Sequence, residues 1–246
     1  MSVRVRFVGS GDAFGSGGRF QTCILVETPA LCVALDFGAS SLIALKRLGI
    51  RHNAIDAILL THLHGDHCGG VPFLLVDAML GAKRTTPLTV AGPRETRARL
   101  EDVREALFPG SDMMRPKFAY EVVELPLMAP TALRGMTVTA YPAIHTGATN
   151  PTSIRVEIAG KTVAYTGDSD WTEHMAALAR DADLFIAECY FHSKPVPFHL
   201  NYPALKQNLA GLGAKRTILT HMGPEMLAAA PSLPEECAHD GLVVEI

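Results

Sequence analysis

No run of apolar residues in this chain approaches the roughly 20 that a membrane-spanning helix requires. The first residues carry no positive-then-apolar leader and run directly into an alternating segment, Val3-Arg4-Val5-Arg6-Phe7-Val8. A membrane anchor and a secretory leader are therefore not expected, and a cytoplasmic location is. There is no excess of either charge: 22 Lys and Arg face 25 Asp and Glu, a net of −3, so the broad basic field of a duplex or RNA binder is missing. The arginines of the 94–104 stretch (Arg94, Arg97, Arg99, Arg104) read as the solvated face of a helix. The five cysteines (Cys23, Cys32, Cys68, Cys189, Cys237) are odd in number and form no CxxC pair, which excludes a disulfide framework and points to a reducing compartment. Repeats, low-complexity segments and long linkers are absent too. A chain of 246 residues without a linker is expected to form one domain over residues 1–246, large enough for a substantial core.

What is present is an alternation of short strands and helices. Strand patterns occupy residues 3–8, 22–26 and 31–35, the first followed by a Gly-rich loop, Gly9 to Gly18. A helix is expected over 40–48, ending at Gly49, then a buried strand over 57–60 and a helix over 71–80 stopped by Gly81. A strand at 88–90 and a helix at 95–107 follow, and residues 108–117 read as irregular. Strands are expected at 120–125, 136–141, 153–158 and 162–165, the last two joined by the turn Ala159-Gly160. A helix at 172–179, a strand at 184–187, a helix at 203–211 and strands at 217–219 and 242–246 complete the pattern. Strands in both halves with helices interspersed call for two sheets packed face to face with helices outside. The fold class expected is α/β, an αββα four-layer sandwich of two mixed sheets.

The chemistry concentrates where the strand at 57–60 ends, in Thr61-His62-Leu63-His64-Gly65-Asp66-His67-Cys68-Gly69-Gly70. Two imidazoles two residues apart in extended chain point to the same side. The break at Gly65 then turns the chain so that Asp66 and His67 face a neighbouring position, and Gly69-Gly70 lets the backbone pass close. A lone HxH pair arises by chance on surfaces; HxHxDH directly after an apolar strand does not. Further ligand types stand at strand ends: His145 after the strand through Tyr141, Asp168 in Thr166-Gly167-Asp168-Ser169, and His221 in Leu219-Thr220-His221. Parallel strands would bring them to one rim. Imidazole and carboxylate donors suit Zn²⁺, and manganese or iron also accept such a set. Two ions about 3.5–4 Å apart clamp the attacking and departing oxygens and supply a nucleophilic hydroxide at neutral pH.

With THxHxDHxGG, a later His, a GD and a final TH in order, the chain resembles the metallo-β-lactamase superfamily from Gly9 to His221. The resemblance implies two Zn²⁺ per chain, one site of His62, His64, His145 and Asp168, a second of Asp66, His67, Asp168 and His221, with Asp168 bridging. A narrower resemblance, to the tRNase Z-like branch, rests on His199-Leu200-Asn201-Tyr202, Gly9-Ser10-Gly11, Arg19-Phe20-Gln21-Thr22, Asp36-Phe37-Gly38 and Ala91-Gly92-Pro93. It implies a homodimer and casts His199 as the general acid beside a catalytic Asp66. Helix capping is the plainer reading of His199. Glu188 and His192 flank the site loop as partners for a ligand or the acid. His52, His174 and His239 fall outside the motifs and are expected at the surface. One departure matters: the long tRNA-grasping arm that tRNase Z carries between its third-motif His and the GD is missing, because one hairpin joins His145 to Asp168. tRNA is therefore not expected as partner. A hydrolase acting on a small or short phosphodiester is, with thioester, lactone or sulfate-ester hydrolysis and a non-catalytic metal-bound sensor or scaffold as the competing readings. The helical domain that glyoxalase II adds after its core has no counterpart in residues 222–246.

Overall fold

In the computed structural model, which describes residues 2–246, the strands form two sheets of seven. The first is built from β1 (Arg4–Gly9), β2 (Cys23–Glu27), β3 (Cys32–Leu35), β4 (Ala57–Leu59), β5 (Leu88–Gly92) and β6 (Tyr120–Glu124) in chain order, with the last strand of the chain, β14 (Val243–Glu245), against β1. The second contains β7 (Thr131–Leu133), β8 (Met136–Pro142), β9 (Thr152–Ile158), β10 (Lys161–Tyr165), β11 (Leu184–Glu188), β12 (Thr217–Thr220) and β13 (Glu236–Cys237), laid side by side in chain order. Strands β3 to β6 are parallel, as are β10 to β13, and the rest are antiparallel, so both sheets are mixed.

Side-chain alternation dictates the layering. In β3 and β4, Leu35 and Leu59 point to the second sheet and join Val5, Ile24 and Val26 against Val138, Val156, Tyr165 and Ile186. Their neighbours Ala34 and Ile58 point the other way, under helices α1 (Ser41–Arg47), α3 (Val71–Leu80) and α4 (Thr96–Leu107). On the far side Phe185, Ala187 and Leu219 pack under α5 (Met175–Ala179), α6 (Tyr202–Leu209) and α7 (Pro224–Ala229). These layers are the expected αββα sandwich.

Departures from the sequence reading are local. Strands β7 and β13 and helix α7 carry no pattern of their own; each is short and held by a neighbour. The helix expected from 172 begins only at Met175, because the Thr172 hydroxyl takes the His174 amide in a turn. Helix α6 starts at Tyr202, where the Asn201 side chain accepts from the Ala204 amide and Pro203 occupies the first turn. His52 corrects the expected surface position: it is buried, its Nε2 2.6 Å from Asp77 Oδ2 of α3, a partner that makes burial of the ring tolerable. His174 is half-buried and His239 exposed, and all five cysteines are free. Among the described residues no helix is long and apolar enough to cross a membrane.

Candidate metal centre

The parallel strands share a rim at their C-terminal ends, the usual ligand side of such sheets. Beyond Leu59 the chain leaves the sheet through Thr61, whose amide donates to Asp36 Oδ1 at 2.8 Å. His62 and His64 follow in extended backbone, and α2 (Gly65–Cys68), one helical turn, presents Asp66 and His67. The turn fits only because the loops beneath are bare: a Cβ at Gly38 would stand 2.1 Å from the Asp66 carbonyl oxygen, and one at Gly70 2.2 Å from that of Gly38. Strand β8 delivers His145, β10 delivers Asp168, β11 ends in Glu188 and β12 in Thr220 before His221. His221 itself has φ +54, a left-handed conformation that a non-glycine residue keeps only where its surroundings hold it.

The side chains converge in two groups. His62 Nε2 and His145 Nε2 lie 3.1 and 3.0 Å from His64 Nδ1. His67 Nε2 lies 3.2 Å from both Asp66 Oδ2 and Asp168 Oδ1, and His221 Nε2 lies 3.2 and 3.4 Å from the same two oxygens. The rings of His62 and His67, 4.1 Å apart, join the groups. Within each, the candidate donor atoms fall within 4.8 Å of one another. All seven residues predicted as ligands therefore meet at one place; six are buried and His64 is partly exposed.

The electrostatics suit a cation. Burial lowers the pKa of His62, His64 and His145, leaving neutral rings with lone pairs, the form in which imidazole ligates. At His67 and His221 burial also opposes protonation, but the carboxylates of Asp168 and Asp66 outweigh it and both pKa values rise. Conversely, burial would raise Asp66 and Asp168, yet His67 and His221 hold both below the usual carboxylate range. Asp168 Oδ1 is buried without a hydrogen-bond partner. Clustered lone pairs, paired buried carboxylates and an orphaned oxygen are what a metal ion would satisfy.

The family model described as "Beta-lactamase superfamily domain" matches residues 35–222, well over half of the chain. The chain belongs to the beta-lactamase superfamily. Within the superfamily it is 27% identical over 230 residues to an uncharacterized protein of Mycobacterium tuberculosis, covering 91% of this chain and 82% of the relative. It is 36% identical over 90 residues to ribonuclease Z of Lachnoclostridium phytofermentans, a match that spans 37% of this chain and 29% of that enzyme. Among solved superfamily structures, it superposes on the metallo-beta-lactamase fold protein YhfI of Bacillus subtilis with a TM-score of 0.79 at 21% identity, over 100% and 99% of the two chains. Human tRNase Z, short form, gives 0.78 at 24%, over 98% of each chain. At these identities the structural likeness is one of fold.

Around this superfamily site stand groups that orient it. Glu188 is fully buried, accepts the Ser169 amide at 2.8 Å, and makes a short contact with His199 Nδ1. Burial, then the charge of Asp168, holds Glu188 well above the usual carboxylate range, and burial holds His199 below that of a free imidazole, shifts that favour the neutral form of each. His145 Nδ1 donates to the Phe198 carbonyl at 2.9 Å, which turns Nε2 toward His64. His192 is not part of the site, a correction: its ring stacks on Tyr202 instead, at 5.7 Å. Asp36 has a role that sequence reasoning missed. Fully buried at the end of β3, it holds His67 Nδ1 at 2.7 Å through Oδ2. The local signals were an acid just after an apolar strand and its place in Asp36-Phe37-Gly38, neither of which names His67 as its partner. Asp36→Ala is expected to weaken metal binding about 10- to 100-fold, read by competitive titration with a chromogenic chelator; unchanged affinity would show that His67 needs no orienting partner.

Proposed function

We propose that this protein is a metal-dependent phosphodiesterase that cleaves a small or short phosphodiester. His62, His64, His145 and Asp168 would hold one metal ion, and Asp66, His67, Asp168 and His221 a second, with Asp168 shared; zinc suits the donors, and manganese or iron are alternatives. When bound, such ions supply Lewis acidity at the phosphoryl oxygens and lower the pKa of water. Asp66, between His67 and His221, orients the attacking water as well as serving as ligand.

The observation that favours a phosphodiester over a thioester is the Glu188–His199 pair at the edge of the cluster, its imidazole 4.9 Å from that of His145. An alkoxide leaving from phosphorus needs a proton; a thiolate does not. As the P–O bond breaks, the Nε2 proton of His199 passes to the leaving oxygen and the Glu188 proton moves onto Nδ1, leaving a neutral imidazole and a carboxylate. Between His145 and Asp168 the chain forms only the β9–β10 hairpin, whose turn is Ala159-Gly160, which supports a compact substrate rather than tRNA.

The test is a panel on zinc- and manganese-loaded protein: bis-p-nitrophenyl phosphate, cyclic nucleotides, short RNA, a lactone, a thioester and an aryl sulfate. Turnover of phosphodiesters above the others is expected. Turnover confined to the lactone, thioester or sulfate would replace this reading with the competing one.

A further inference from the structure

The rim that carries the metal centre continues past it. Beyond β5, β6 and β8 the connecting segments enclose a cavity of about 540 Å³, within the range of small-molecule sites. Its walls are apolar: Pro93, Leu125, Pro126, Leu127 and Pro151. Leu127, half-exposed, would lose water on filling it. Prolines fix the backbone, so the walls are formed in advance and little order is lost when a ligand enters.

Two polar groups also line it. The Arg94 side chain is 77% exposed, and Glu95, at 3.5 Å, is its ion-pair partner. Asn150 donates through Nδ2 to the Arg94 carbonyl at 3.0 Å, and its Oδ1 has only a long contact of 3.5 Å with the guanidinium. A planar guanidinium stacks on flat π-systems, and an amide oxygen held only by that long contact accepts from a hydrogen-bonding edge.

Segments that carry the metal-site residues also line the cavity. Gly147, which lines the cavity, is two residues past His145; Thr152, also in the lining, donates from Oγ1 to the Thr61 carbonyl at 2.7 Å, next to His62. Glu188 and His199 come from β11 and the loop after it, whereas the cavity lies at the β5–β6 end of one sheet and past β8 in the other, where β8 stands three places from β11. A substrate whose leaving oxygen faces His199 thus extends its other ester group toward the cavity.

We infer that this cavity is a subsite for a planar group, a nucleobase or a simple aryl ring, on the ester that stays attached to phosphorus. The inference rests on the phosphodiesterase reading, and its test separates the two. Methyl, phenyl and thymidine 5′ esters of p-nitrophenyl phosphate share one leaving group and differ only in the retained one. On the metal-loaded protein, kcat/KM for the thymidine ester is expected to exceed that for the methyl ester by about tenfold or more, mainly through KM. Leu127→Trp, which fills the cavity, should remove that advantage by raising KM. A phenyl ester equal to thymidine identifies an aryl subsite; a further advantage for thymidine that Asn150→Ala abolishes identifies a nucleobase subsite. Equal kcat/KM for all three esters, indifferent to Leu127→Trp, overturns the inference and leaves the phosphodiesterase reading standing. If none is hydrolysed, that reading falls and equilibrium binding of thymidine 5′-monophosphate decides: affinity weakened by Leu127→Trp upholds the subsite, and absence of binding overturns it.

Discussion

Asp168→Ala is expected to lower activity about 10³-fold or more and to leave the purified protein with less than one equivalent of metal, a larger loss than any single histidine replacement causes. Asp168, like Asp66, lies within 3.4 Å of both His67 and His221, and of the two it has the larger influence on the ring of His62; in the proposed assignment it is the carboxylate that two ions would share. A shared carboxylate neutralises two cations at once; without it, two like charges about 4 Å apart repel with less to offset them. A histidine ligand, by contrast, belongs to one ion and leaves the other largely served. The check is metal content and turnover measured on the same preparation, beside His64→Ala and His145→Ala. A variant that keeps two ions and near-normal turnover would show that Asp168 is not shared.

The second large effect separates chemistry from structure at His199. His199→Ala should keep its metal content and lose about 10²- to 10⁴-fold in kcat on a nucleoside or alkyl leaving group. On a p-nitrophenyl ester, whose leaving group departs unprotonated, the loss should be small. Glu188→Gln should follow the same pattern more weakly, because it keeps the contact to Nδ1 but not the proton relay. A capping role for His199 makes the opposite demand: similar modest losses on every substrate with a lowered Tm. The structure gives capping of α6 to Asn201, which accepts from Ala204, rather than to His199. Equal losses for good and poor leaving groups would nevertheless remove the acid from the mechanism.

Much of this was legible in sequence because the signals were local. HxHxDH follows an apolar strand, and the other ligand types each close an apolar run, so parallel strands sufficed to bring them to one rim. The four layers were legible for the same reason: runs such as Ala34-Leu35 and Ile58-Leu59 are apolar on both faces, as strands between a helix layer and a second sheet must be. What escaped depends on contacts between distant segments. Asp36 acts on His67 across 31 positions; its place in Asp36-Phe37-Gly38 after an apolar strand marks it, but nothing local names its partner. His52 and His192 have unremarkable surroundings in sequence; Asp77 buries the first and Tyr202 draws the second away from Glu188. Strand β7, three residues long, exists only as the edge partner of β8. The cavity beside the site is assembled from three separate loops and has no motif at all.

The most direct measurement is elemental analysis of the protein after incubation with zinc or manganese and removal of the excess. The proposed assignment of two donor groups sharing Asp168 predicts two tightly held ions per chain. A protein that arrives without metal and takes up none would contradict the assignment of His62, His64, Asp66, His67, His145, Asp168 and His221 as ligands, and with it the hydrolytic function proposed for the site.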